Sequence, residues 1–276
     1  MEVRYLPDEN SFKGMSTQGL RENFLIQLFA EDQIPLVYSN VDRSITGSAV
    51  PVNKPLELKA SKKEMAAQYF AERREVGVIN IGMQGSIFVD DIEYKMGHKD
   101  ALYVGRGAKK IVFKSNSAKN PAKFYIVSYP AHAEFPTTHA RFEDAAPVKL
   151  GSLESSNERT IYKYIFPAGI KSCQLVMGLT ELNNGSVWNT MPAHTHQRRS
   201  EIYMYFNLDN DNFVAHFLGR SSETRHIMVR DGEAVLSSSW SLHSGCGTKN
   251  YSFIWAMGGE NQDFDDMDWI PMGDMK

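Results

Sequence analysis

Short apolar runs broken by Gly, Asn and Asp follow one another through almost the whole chain, and this restricts the fold more than any other feature. In the first half they cover residues 76–81, 86–89, 101–104, 110–113 and 124–127; in the second half 173–177, 202–206, 213–217, 226–229, 233–236 and 251–255. Runs this short, bounded by turn-forming residues, are strands rather than helices, and they predict an all-β body. Asp231-Gly232 predicts a tight hairpin between its flanking strands. Helical periodicity is confined to two stretches. In 18–29, Leu20, Phe24, Ile26 and Leu28 can share an apolar face behind Thr17 as cap; the other is 62–74.

An internal repeat organises these strands. Gly105-Arg106-Gly107 before the run ending at Phe113 resembles Gly245-Cys246-Gly247 before the run ending at Phe253, and Arg73-Arg74-Glu75 echoes Arg198-Arg199-Ser200-Glu201. The expectation is two copies of one β-barrel, cut at the polar stretch 151–157 into 1–150 and 151–276. At 276 residues and 42% hydrophobic content the chain can fill both cores.

Chemistry concentrates in the second copy. His194 and His196 stand in i, i+2 register, which on a strand turns both imidazoles to one face. Glu201 opens an apolar run and needs a partner to justify burial; His243, on a distant strand, adds a third imidazole. Three nitrogens and one oxygen suit zinc, manganese, iron(II), nickel or cobalt. In the register of the glycines Tyr103 stands where His243 stands, and in that of the glutamates Gln68 and Phe70 stand where His194 and His196 stand. The first copy is therefore expected to hold no metal. A bland alternative also fits each residue singly: the His pair as polar surface, His243 as a satisfied core histidine.

A net charge of −3 gives no basic field for nucleic acid. The start of the chain lacks a signal-type apolar segment, and nowhere do eighteen apolar residues run together, so a cytoplasmic protein with no membrane partner is expected. Two cysteines, Cys173 and Cys246, are too few for a disulfide framework.

The arrangement His194-x-His196-x4-Glu201 with a distant His243 resembles the metal signature of the cupin β-barrels, so the chain looks like a bicupin, all-β with a few short helices, in which only the second barrel carries metal. Ser238-Ser239-Trp240 replaces the usual Pro-x-Gly before the last histidine, so the generic motif leaves the function open. More specific are 77–82, 100–105, Trp188-Asn189-Thr190-Met191-Pro192, Glu223-Thr224-Arg225-His226, and the C-terminal Gly259-Glu260-Asn261-Gln262 with 264–268. These resemble the 5-keto-4-deoxyuronate isomerase family nearly end to end. The resemblance implies an aldose-ketose isomerase of pectin or other polyuronide breakdown, one zinc per chain on His194, His196, Glu201 and His243, and a homohexamer.

Residue types suggest the remaining roles. Parity with Glu201 turns Tyr203 and Tyr205 toward the metal, where a hydroxyl can donate to an enediolate. Glu223 and Glu260 are candidate bases and His226 a candidate proton shuttle, while Arg199, Arg225 and Lys249 are candidates for the substrate carboxylate. Asp263, Asp265, Asp266 and Asp268 read as a solvated terminal segment or subunit contact. Two other classes remain open: an iron(II) cupin dioxygenase, and a non-catalytic, metal-stabilised sugar-binding barrel.

Overall fold

The computed structural model describes every residue except Ala146, Asn261, Phe264 and Asp265, so the parts of the C-terminal motif at 261, 264 and 265 lie outside the described residues. The chain is all-β, with four sheets and a few short helices among the described residues. It divides into two compact units, but a single cut near 151 does not describe them. One unit comprises 1–4, 28–145 and 164–176; the other comprises 5–27, 146–163 and 177–276. Among the described residues no helix is long and apolar enough to cross a membrane.

In the first unit a seven-stranded sheet orders the strands Glu2–Arg4, Leu36–Ser39, Ile45–Ala49, Phe124–Pro130, Arg74–Asn80, Ala101–Val104 and Thr138–Ala140. A four-stranded sheet holds Leu56–Glu57, Ile111–Ser115, Gly85–Val89 and Ile92–Met96. Between them lies an aliphatic and aromatic core built from Val76, Val78, Leu102, Ile126, Ile87 and Phe113 with their neighbours. Strand alternation puts Val76 and Val78 into that core and Glu75 on the opposite face. There Glu75, fully buried, accepts hydrogen bonds from the backbone N–H groups of Cys173, Gln174 and Leu175 at 2.7–2.9 Å and from the Tyr103 hydroxyl at 2.8 Å.

In the second unit Pro147–Leu150, Arg159–Ile165, Val176–Leu182, Ser252–Gly259, Arg199–Phe206, Glu233–Ser237 and Leu25–Gln27 form one sheet. Glu223–Val229, Val214–Arg220, Leu242–Gly247, Trp188–Thr195 and Asp268–Trp269 form the other. The expected helix over 18–29 stops at Phe24, because Leu25–Gln27 pairs with Glu233–Val235 and sheet pairing overrides the helical pattern. The second expected helix is only Lys62–Met65, ended by Ala66 in the left-handed conformation. Asp231-Gly232 does turn, with Gly232 at φ +75°, but it makes no hairpin, since Glu223–Val229 and Glu233–Ser237 belong to different sheets.

The strand registers also correct the repeat. Arg74–Asn80 corresponds to Arg199–Phe206, each flanked in its sheet by a later strand of its own unit. Arg199 pairs with the last residue of its neighbour, Gly259, and Arg74 with the last of its own, Pro130. Val76 thus occupies the place of Glu201, and Glu75 that of Ser200. Ala101–Val104, with Tyr103, answers to Glu233–Ser237 rather than to the strand of His243. A one-residue slip reverses the face on which a side chain falls, so the barrel interior carries valine in one unit where it carries glutamate in the other.

Candidate metal centre

His194 is the last residue but one of the strand Trp188–Thr195, His196 follows that strand, Glu201 lies in Arg199–Phe206 and His243 in Leu242–Gly247. His194 and His243 face each other directly across two antiparallel strands. The four donor atoms form a closed ring of contacts. His194 Nε2 is 3.0 Å from His196 Nε2 and 3.1 Å from His243 Nε2, and Glu201 Oε2 is 3.1 Å and 2.6 Å from the Nε2 atoms of His196 and His243. All four residues are buried, and their ligand atoms lie within 4.8 Å of one another. Bonds of about 2.1 Å meeting at right angles give donor separations of about 3.0 Å. The donor set therefore fits a borderline divalent cation, with room for further oxygen ligands.

Electrostatics favour the ligating forms. Burial, reinforced by the neighbouring His243 and His196, pushes the His194 imidazole down to about 2, so it is neutral at physiological pH. Burial alone would raise the Glu201 carboxyl, but His243 and His196 outweigh it and hold the group well below the usual carboxylate range. An ionised carboxylate and an uncharged imidazole are what a metal requires.

An outer layer fixes the ring of His196. Asp266 Oδ1 lies 3.2 Å from His196 Nδ1, and Arg199 Nη2 contacts the same oxygen at 2.7 Å. The expectation that Asp266 belongs to a solvated tail is thus corrected: its side chain is 7% exposed. A carboxylate on the far nitrogen of a ligating imidazole orients it and raises its basicity. Asp266→Asn is expected to weaken metal retention by about 10- to 100-fold, as measured by competition with a chromogenic chelator; unchanged affinity would deny Asp266 this role.

A cavity of about 250 Å³ opens on His194, His196 and Glu201. Tyr203 lines it, with its hydroxyl 2.8 Å from Thr190 Oγ1. Burial and the charge of Glu201 push the phenol well above its ordinary range, so it remains protonated. One wall is the indole of Trp255, whose Nε1 donates to Thr180 Oγ1 at 3.1 Å. Gly178 makes room for that indole, since a Cβ there would come within 2.3 Å of the ring.

The other expected residues are placed elsewhere. Tyr205 shares the parity of Tyr203 but lies deeper, its hydroxyl 2.7 Å from His216 Nδ1, and does not line the cavity. Glu223 and His226 stand on an edge strand with Val214–Arg220 between them and His243; Glu223 is paired with Arg225 at 2.7 Å, and His226 is exposed. Lys249 pairs with Asp209 on the surface. Arg199, fully buried, is held by Asp266. Neither these residues nor Glu260 line the cavity. Among the cavity residues that the sequence does not single out are Arg159, which opens the strand Arg159–Ile165, and Trp269, packed edge-on against His194 at 5.2 Å. The alternation in Arg159-Thr160-Ile161-Tyr162-Lys163-Tyr164-Ile165 marks a strand but gives no sign of what its first residue faces.

Residues 25–272 match the KduI/IolB family. The chain is 54% identical to the 4-deoxy-L-threo-5-hexosulose-uronate ketol-isomerase of Lachnoclostridium phytofermentans and 52% identical to the protein of that name from Caldicellulosiruptor bescii, each alignment covering 100% of both chains. Among solved structures, an IolB-like protein from Salmonella typhimurium superposes with a TM-score of 0.70 at 12% identity, covering 90% of this chain and 97% of that one. Oxalate decarboxylase from Bacillus subtilis does so with a TM-score of 0.53 at 9% identity, covering 89% and 79%. At such identities the two structural likenesses speak for the fold.

Proposed function

This chain belongs to the KduI/IolB family, and from that premise we propose that it converts 4-deoxy-L-threo-5-hexosulose uronate from aldose to ketose. The observation that carries this reading is likeness over the full length, at about half identity, to relatives bearing that ketol-isomerase name. The reaction removes a proton from C2, returns one at C1 and passes through an enediolate. A divalent cation held by His194, His196, Glu201 and His243 would supply Lewis acidity toward the enediolate oxygens. Tyr203, protonated and lining the same cavity, is suited to donate a hydrogen bond or a proton to an oxygen of the substrate rather than to act as base. Zinc as the ion, a pectin-derived substrate, a homohexamer and a cytoplasmic location complete the reading, on the strength of the family resemblance.

The test follows fresh substrate by proton NMR in deuterated water with the metal-loaded protein. Disappearance of the C1 aldehyde with growth of a C2 ketone is expected, and deuterium at C1 would mark passage through an exchangeable base. No conversion by folded, metal-replete protein would overturn the reading.

A further inference from the structure

We infer that Arg159 binds the substrate's carboxylate and thereby makes the site selective for sugar acids over neutral sugars. This rests on the reading of the cavity as that of a sugar-acid isomerase. Arg159 lines the same cavity as His194, His196 and Glu201 and is half-buried. Its guanidinium donates from Nη1 to the carbonyl of Asn157 at 3.0 Å, and among the described residues no carboxylate pairs with it. The other arginines considered for this role have acidic partners: Arg199 has Asp266, and Arg225 has Glu223. Arginine stays charged in proteins and carries five N–H donors in a planar fork, so Arg159 keeps donors and a positive charge for something else. Removing such a group from water without a counter-charge is costly. A ligand carboxylate taken up in bidentate fashion offsets that cost and fixes the ligand's direction.

The cavity sets the rest of the geometry. His194, His196 and Glu201 of the four-donor cluster, Tyr203, the fixed charge of Arg159 and the apolar surfaces of Ile161 and Trp255 all line this one space. At about 250 Å³ the space falls just below the usual range for small-molecule pockets, about 300–1,000 Å³. It suits one short acid rather than an oligosaccharide. An acid seated on Arg159 is oriented with its carbonyl end toward the four donors; a neutral sugar has nothing to hold it there.

The experiment compares wild type, Arg159→Met and Arg159→Lys, all metal-loaded, on the uronate and on its uncharged methyl ester. Arg159→Met is expected to raise KM for the acid about 10- to 100-fold, as for loss of one charge-assisted pair. The kcat should stay within about threefold and the preference for acid over ester should vanish, while Arg159→Lys restores part of it. Metal content and melting temperature should match wild type, which separates lost recognition from lost structure. Glucuronate binding, followed by the fluorescence of Trp255 and Trp269 at the cavity wall, should weaken in parallel in Arg159→Met. Turnover by wild type with an unchanged acid-to-ester ratio in Arg159→Met would overturn the inference and leave the isomerase reading intact. Glucuronate binding that depends on Arg159, without turnover by wild type, would overturn the isomerase reading and keep the anion site.

Discussion

Glu201→Gln is expected to emerge from purification with almost no bound metal and with turnover reduced on the order of 10³-fold, because a Lewis acid contributes several kcal/mol to stabilising a developing oxyanion. The substitution keeps the volume of the side chain and removes its charge, so the barrel retains its packing. What it loses is the single anionic donor, placed 3.1 Å and 2.6 Å from the Nε2 atoms of His196 and His243. Elemental analysis and initial rates measured on one preparation check both halves of the expectation. A Glu201→Gln protein that kept a full complement of metal and wild-type rates would remove this cluster from the chemistry.

The second large effect concerns stability and belongs to the other unit. Glu75→Ala is expected to destabilise the protein by about 4 kcal/mol, since buried donors left without an acceptor cost about 1–3 kcal/mol each. Three backbone N–H groups, those of Cys173, Gln174 and Leu175, and the Tyr103 hydroxyl would lose their acceptor together. Against a usual net stability of about 5–15 kcal/mol, that is a large loss, readable as a lowered urea midpoint. Glu75→Gln, which still accepts with its amide oxygen, should lose less than half as much. Metal content per folded molecule should not change in either variant. A midpoint for Glu75→Ala equal to wild type would show that water replaces these bonds at no cost.

The two glutamates mark the limits of what the residues disclose. Both precede apolar runs and both follow arginines, and the sequence aligns them. Yet Glu201 faces the barrel interior and Glu75 faces away from it, because the strand registers differ by one position, and register depends on partners far along the chain. His194, His196 and Glu201 were legible because they are close in sequence, two histidines in i, i+2 register and a carboxylate at the head of the next apolar run; only His243 is remote. The all-β class was legible for a similar reason, since alternation and turn residues are local signals. The local patterns for a helix over 18–29 and a hairpin at 231–232 are real but yield to sheet partners. For the substrate carboxylate the sequence offers Arg199, Arg225 and Lys249, each near a strand of the metal side. The structure gives Arg199 to Asp266 and puts Arg159, from a strand outside every motif, on the cavity. The acidic run around Asp266 has the composition of a solvated tail, and composition does not register that an acid beside two arginines and an imidazole can be drawn inside.

Leu25–Gln27 closes one edge of the sheet that carries Glu201 by pairing with Glu233–Val235. During translation the first of these partners leaves the ribosome while the other is still unmade, and they are separated by roughly two hundred residues, a long-range closure of the kind that slows folding. Until then the growing chain carries an unmatched ribbon of backbone donors and acceptors, a template for association with another nascent chain. An amino-terminal deletion through residue 27 would make that transient state permanent, and a gene fragment beginning after the polar stretch at 151–157 would do the same, although either retains every metal ligand. The barrel that carries the three histidines and Glu201 is thus sealed by the beginning of its own message.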